Sequence, residues 1–64
     1  MDKAETNGYL RAIEAQLLAV EALLEEVNRT GDLTGIAYDK FREVRMNIIN
    51  ANHAFKEVRG WNAG

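Results

Sequence analysis

Cysteine, proline and serine are absent from the chain, and histidine occurs once. Without cysteine there is neither a disulfide framework nor a thiolate zinc site. One histidine makes a structural metal site a poor reading, and no Glu-x-x-His motif is present for a carboxylate-bridged metal. Without serine or cysteine the common activated nucleophiles are gone, and no glycine-rich phosphate loop stands in for them. A general base needs an orienting partner and a pocket, and His53 has only Glu57 one turn away. The expectation is therefore a protein that is not an enzyme, with no catalytic residues, no metal and no cofactor.

Long apolar runs are missing too. None approaches the ~18 residues a membrane span requires, and no basic-then-apolar leader is visible. The expectation is a cytoplasmic protein without a membrane partner. The formal net charge of −2 argues against polyanion binding by bulk charge. Its placement is uneven, with Glu14, Glu21, Glu25 and Glu26 in the first half and Lys40, Arg42, Arg45, Lys56 and Arg59 in the second.

Sixty-four residues form one domain, and such a small chain needs regular helix packing or further copies of itself when disulfides and metals are excluded. The absence of proline leaves glycine and capping chemistry to punctuate the helices. Asp2-Lys3-Ala4-Glu5 has the pattern of a capping box, and Asn7-Gly8 reads as a turn or a weak spot in the helix. The first long helix is expected over about 9–28. Asn28-Arg29-Thr30-Gly31-Asp32 breaks it, with Gly31 suited to a left-handed position and Asp32 or Thr34 to capping the next helix. That leaves a turn at 29–32 and a second helix over about 33–59, ended by Gly60 with Trp61 folding back.

Leu10, Ile13, Leu17, Val20, Leu24 and Val27 alternate steps of three and four, as a heptad seam does. Leu33, Ala37, Phe41, Val44, Ile48, Ala51, Phe55 and Val58 form the matching seam of the second helix. The fold class is all-α, a two-helix antiparallel hairpin. Ala12, Ala15, Leu18, Ala19, Ala22 and Leu23 continue the apolar arc around the first helix, beyond what one partner helix can cover. These six residues are read as an oligomer interface, so the hairpin is expected to assemble into a homo-oligomeric helical bundle. Gln16 lies inside that arc, where a lone polar residue either fixes register or sits at a wet rim.

A second patterned face lies on the second helix. Tyr38, Arg42, Arg45, Ile49, His53 and Lys56 share an arc of about 100° at the 3.6-residue period. Guanidinium forks match phosphate and carboxylate oxygens, and tyrosine adds a ring for stacking. Tyr38, Arg42, Arg45, His53 and Lys56 are the candidate ligand-binding residues, for a nucleotide, a phosphate backbone or an acidic protein surface. In the competing reading the face is solvated, with Arg42 paired near Asp39 and with Lys56 and Arg59 paired to Glu57 or to the strip of the first helix that holds Glu14, Glu21 and Glu25. Asn47, Asn50 and Asn52 are weak helix formers that read either as polar contacts or as exposed filler.

Two short stretches give the chain a resemblance to the helical-hairpin domain of phage anti-CBASS and anti-Thoeris proteins, which act as sponges for immune signalling nucleotides. Gly8-Tyr9 matches a Gly-Tyr pair before the long helix, and Ala37-x-x-Lys40-Phe41-x-Glu43-Val44-x-Met46 is similar to a stretch of that family's second helix. The chain departs from the family in following Met46 with Asn47-Ile48 and in having no lysine in its first helix after Lys3. The resemblance implies a non-enzymatic oligomer that binds cyclic oligonucleotides or ADP-ribose derivatives between subunits, in the host cytoplasm. It also implies Tyr9 as a residue that stacks on the ligand. Two other classes compete: a helical inhibitor or adaptor with a protein partner, and a Rop-like RNA-binding dimer of hairpins, against which the modest charge argues.

Overall fold

A computed structural model of the chain describes residues 1–63. Two long helices, α1 (Lys3–Thr30) and α2 (Gly35–Ala63), pack side by side in an antiparallel hairpin of 46 × 17 × 15 Å. No helix is long and apolar enough to cross a membrane among the described residues.

α1 begins earlier than the expected 9, and Asn7-Gly8 lies inside it rather than in a turn. Asp2 is the reason. Its Oδ1 accepts the Glu5 N–H at 2.7 Å and its carbonyl accepts the Thr6 N–H at 2.9 Å, so the first turn is closed. An N-cap contributes typically ~1 kcal/mol, about what an interior glycine costs relative to alanine. The cap thus offsets Gly8, and the helix runs through.

The turn also differs from expectation. Gly31 is extended (φ −73°, ψ 159°) and its N–H closes α1 on the Val27 carbonyl at 2.7 Å. A Cβ here would collide with the Val27 carbonyl oxygen, so this glycine answers to close approach and not to a left-handed φ. The left-handed residue is Gly35 (φ 62°), which opens α2 where 33 was expected. Thr34 stands just before it and accepts the Tyr38 N–H through its carbonyl. At the far end Gly60 does not stop α2, and Trp61 stays 88% exposed instead of folding back. Asn62 donates to Asn7 Oδ1 at 2.5 Å, which ties that extra turn to α1.

The seam is rotated from the one the apolar heptads suggest. Leu10, Leu17 and Leu24 of α1 and Phe41, Ile48 and Phe55 of α2 are partly covered, but Ile13, Val20, Val27, Val44 and Val58 are exposed. Beside the apolar row runs a polar one. Arg59 Nη1 bonds Glu14 Oε1 at 2.5 Å, Asn52 Nδ2 bonds Glu21 Oε1 at 2.6 Å, and Arg45 grips Glu25 through two bonds at 2.7 and 3.1 Å. Each helix therefore offers the other half a stripe of apolar side chains and half a stripe of polar ones. No apolar residue is fully buried among the described residues, and the most covered side chain is Asn52 at 7%.

Candidate functional site

The polar row repeats at seven-residue spacing on both helices: Asn7, Glu14 and Glu21 on α1, Arg45, Asn52 and Arg59 on α2. Heptad spacing holds a residue on one edge of a helix contact along its whole length. Opposite charges on the two edges then select one antiparallel register. Asn52 sits at the middle of this row. Its amide donates to Glu21 and, at 3.4 Å, toward the Leu17 carbonyl, so no buried side-chain polar atom lacks a partner among the described residues.

Arg45 therefore has two attributes. By sequence it belongs to the face of Tyr38, Arg42, Ile49, His53 and Lys56, and in the structure its guanidinium is held by Glu25 at the edge of the seam. The hydrogen bonds to Glu25 raise its pKa above the ordinary arginine value; partial desolvation opposes them, and the charges of Glu25, Tyr38 and Glu21 add to the rise. Arg59 is similarly engaged by Glu14. In contrast, Arg42 and Lys56 form no ion pair among the described residues, and both are exposed. The seam cations Arg45 and Arg59 are neutralised across the helices and Arg29 and Lys40 by neighbours on their own helices, whereas Arg42 and Lys56 on α2, and Lys3 and Arg11 on α1, form no ion pair among the described residues.

The face divides in two. Tyr38, Arg42 and Arg45 form one trio, and Ile49, His53 and Lys56 repeat the same spacing eleven residues on, about 16 Å along the helix. Ile49, His53 and Lys56 join Leu18, Glu21 and Asn52 around a shallow groove between the helices. Tyr9 does not join either trio. It lies near the start of α1, at the level of the end of α2, whereas Tyr38 lies near the start of α2. It borders a separate open depression with Glu5, Gly8 and Ala12. Within one hairpin the two tyrosines are at opposite ends.

Ala12, Ala15, Leu18, Ala19, Ala22 and Leu23 are all exposed; by helical phase all but Leu18 occupy the side of α1 turned from α2, and Leu18 borders the groove between the helices. Among the described residues no three histidine, cysteine or acidic side chains gather in a way that could hold a metal ion. No family model matches the chain, and neither a characterised protein nor a solved structure matches it.

Sequence reasoning paired Arg59 with Glu57 or the acidic strip of the first helix but did not place Glu14, Glu21 and Asn52 in the seam. The available signal was the pair of seven-residue polar repeats with complementary character, one on each helix. Apolar spacing alone outweighed it.

Proposed function

We propose that the protein is a non-enzymatic binding protein that works as a homo-oligomer of hairpins and takes up an anionic ligand on the outer face of α2. The observation that carries this reading is the contrast between paired and unpaired cations: Arg45 and Arg59 are matched to Glu25 and Glu14, while Arg42 and Lys56 have no acidic partner. Of the cations left unpaired among the described residues, these two share one face of α2 and so favour an anion there, while Lys3 and Arg11 lie apart on α1. Tyr38, one turn from Arg42, adds a ring on which a base can stack while the guanidinium forks a phosphate.

One hairpin presents this face as an open surface, with only a shallow groove beside Ile49, His53 and Lys56. A tight site for a small anion needs walls, which a neighbouring hairpin supplies, so the ligand belongs at junctions between copies. The resemblance to phage nucleotide sponges sharpens the reading to sequestration of a signalling nucleotide, a cyclic oligonucleotide or an ADP-ribose derivative, in the cytoplasm of an infected host. Tyr9, His53 and Lys56 complete the proposed contacts, with Tyr9 contributed by a different copy from Tyr38.

The test is thermal unfolding against a panel of signalling nucleotides. A ligand at a hundred times its Kd adds ~2.7 kcal/mol per site, a rise of many degrees in a domain of this size. A selective rise that Arg42→Ala and Lys56→Ala abolish supports the reading. No rise with any nucleotide counts against it and directs attention to a protein partner; salt-sensitive retention of RNA points to the Rop-like alternative.

A further inference from the structure

The hairpin exposes 4997 Å². A globular monomer of 7.2 kDa exposes about 4,100 Å² by the usual scaling with mass. The excess, roughly 900 Å², is close to the ~800 Å² that one partner contributes to a standard interface. The molecule's 46 × 17 Å face has room for it.

One side of the hairpin has the composition such an interface needs. Ile13, Val20 and Val27 step by seven along α1, and Val44, Ala51 and Val58 step by seven along α2. By helical phase they lie across the leucine row from the acidic row, so they share one side of the hairpin. The register set by Glu14–Arg59, Glu21–Asn52 and Glu25–Arg45 places Ile13 level with Val58, Val20 with Ala51 and Val27 with Val44. The four Ile and Val residues of the two outer rungs, and Val20, are between 41% and 50% exposed. None of the six carries charge; Gln16 on α1 and Lys40 and Asn47 on α2 flank the ladder. At one end the same side continues into a largely apolar groove in which Thr6, Glu57 and Asn62 stand beside Leu10, Ala54, Val58 and Trp61.

We infer that a second copy of this chain covers that side, forming a four-helix bundle. Two arguments select a copy over an unrelated protein. The ladder has its smallest rung, Val20–Ala51, in the centre and two larger branched rungs at equal distances, so it superposes on itself when turned end for end. A twofold axis through that centre sets apolar rung against apolar rung along the whole ladder, as an isologous contact allows. Further, a chain with no fully buried apolar residue among those described gains from cover whenever it is folded, and cover by a second copy strengthens with the chain's own concentration. The polar row and the Tyr38–Lys56 face beside it lie on the opposite side and remain free of this interface, so a ligand held between copies at that face would join one such dimer to another.

This inference rests on the homo-oligomer reading above but assigns a different surface from Ala12, Ala15, Leu18, Ala19, Ala22 and Leu23. Because the chain has no cysteine, single thiols report cover site by site. Val20→Cys and Val44→Cys test the ladder; Ala15→Cys and Ala22→Cys test the back of α1. Each variant's alkylation rate is compared with that of its own unfolded form, and the mass of the unmodified protein is taken by sedimentation equilibrium. The expected result is twice the 7.2 kDa protomer mass, with ladder thiols slowed at least tenfold relative to back-face thiols. An oligomer whose Ala15→Cys and Ala22→Cys thiols are the slow ones overturns the ladder while sparing the oligomer. A 7.2 kDa species with all four thiols equally fast overturns both and leaves the ladder to an unrelated partner.

Discussion

Replacing Asn52 tests whether the polar row holds the hairpin in register. Its amide gives a 2.6 Å hydrogen bond to the Glu21 carboxylate and a longer one toward the Leu17 carbonyl. Hydrogen bonds to charged groups contribute ~1.5–3 kcal/mol. Glu21 is half-buried and can recover a water when the amide is removed, so the lower figure applies. Alanine also has the better helix propensity, by roughly 0.6 kcal/mol. Asn52→Ala should therefore destabilise by only about 1 kcal/mol, a fall of roughly 4–8 °C in Tm for a domain this small. The pair term is isolated by a cycle with Glu21→Ala and the double variant, because the propensity contributions cancel. Its expected coupling is about 1.5 kcal/mol. Melts followed by circular dichroism at one fixed protein concentration measure it, since any self-association makes Tm depend on concentration. Additivity within ~0.3 kcal/mol would refute the claim that this contact specifies the register.

Four further outcomes follow from single residues. Gly8→Ala should stabilise by about 0.5–1 kcal/mol, because an added Cβ meets nothing within 4 Å and the position is helical; a loss of stability on thermal unfolding would contradict the continuous α1. Asp2→Ala removes the cap on the Glu5 N–H and should cost ~1 kcal/mol, visible as lost ellipticity and faster amide exchange over the first two turns. Gly31→Ala and Gly35→Ala should both destabilise, the first through collision with Val27 and the second through its left-handed φ at about 1–2 kcal/mol; neutral melts for both would reject this turn. Arg42→Ala should leave Tm within ~0.5 kcal/mol of the parent, as an exposed side chain without an ion-pair partner, while removing the proposed nucleotide response.

The two helices were legible because their signals are local. Heptad spacing from Leu10 to Val27 and from Phe41 to Val58, with a glycine-bearing break between them, is written into short windows of sequence. The helix ends were less so. Asn7-Gly8 and Gly60 carry turn propensity, but Asp2's cap and the Asn62–Asn7 contact outweigh it, and that contact joins residues at opposite ends of the chain. The seam's rotation was hidden for the same reason: whether Glu21 faces water or Asn52 depends on the other helix. Arg45 shows the consequence for the candidate site. Its phase places it with Arg42 and Lys56, yet Glu25, twenty residues earlier in the chain, takes its guanidinium. A helical wheel drawn for one helix does not contain that competition.

The central claim is that this hairpin is half of a core and that its copies supply the rest. The most direct test is the Tm of the unmodified protein across a hundredfold range of concentration. Coupled folding and association predict a Tm that climbs steadily with concentration. A Tm that stays constant across the whole range, with full helicity in the most dilute sample, would mean the single hairpin is stable by itself and would contradict the account.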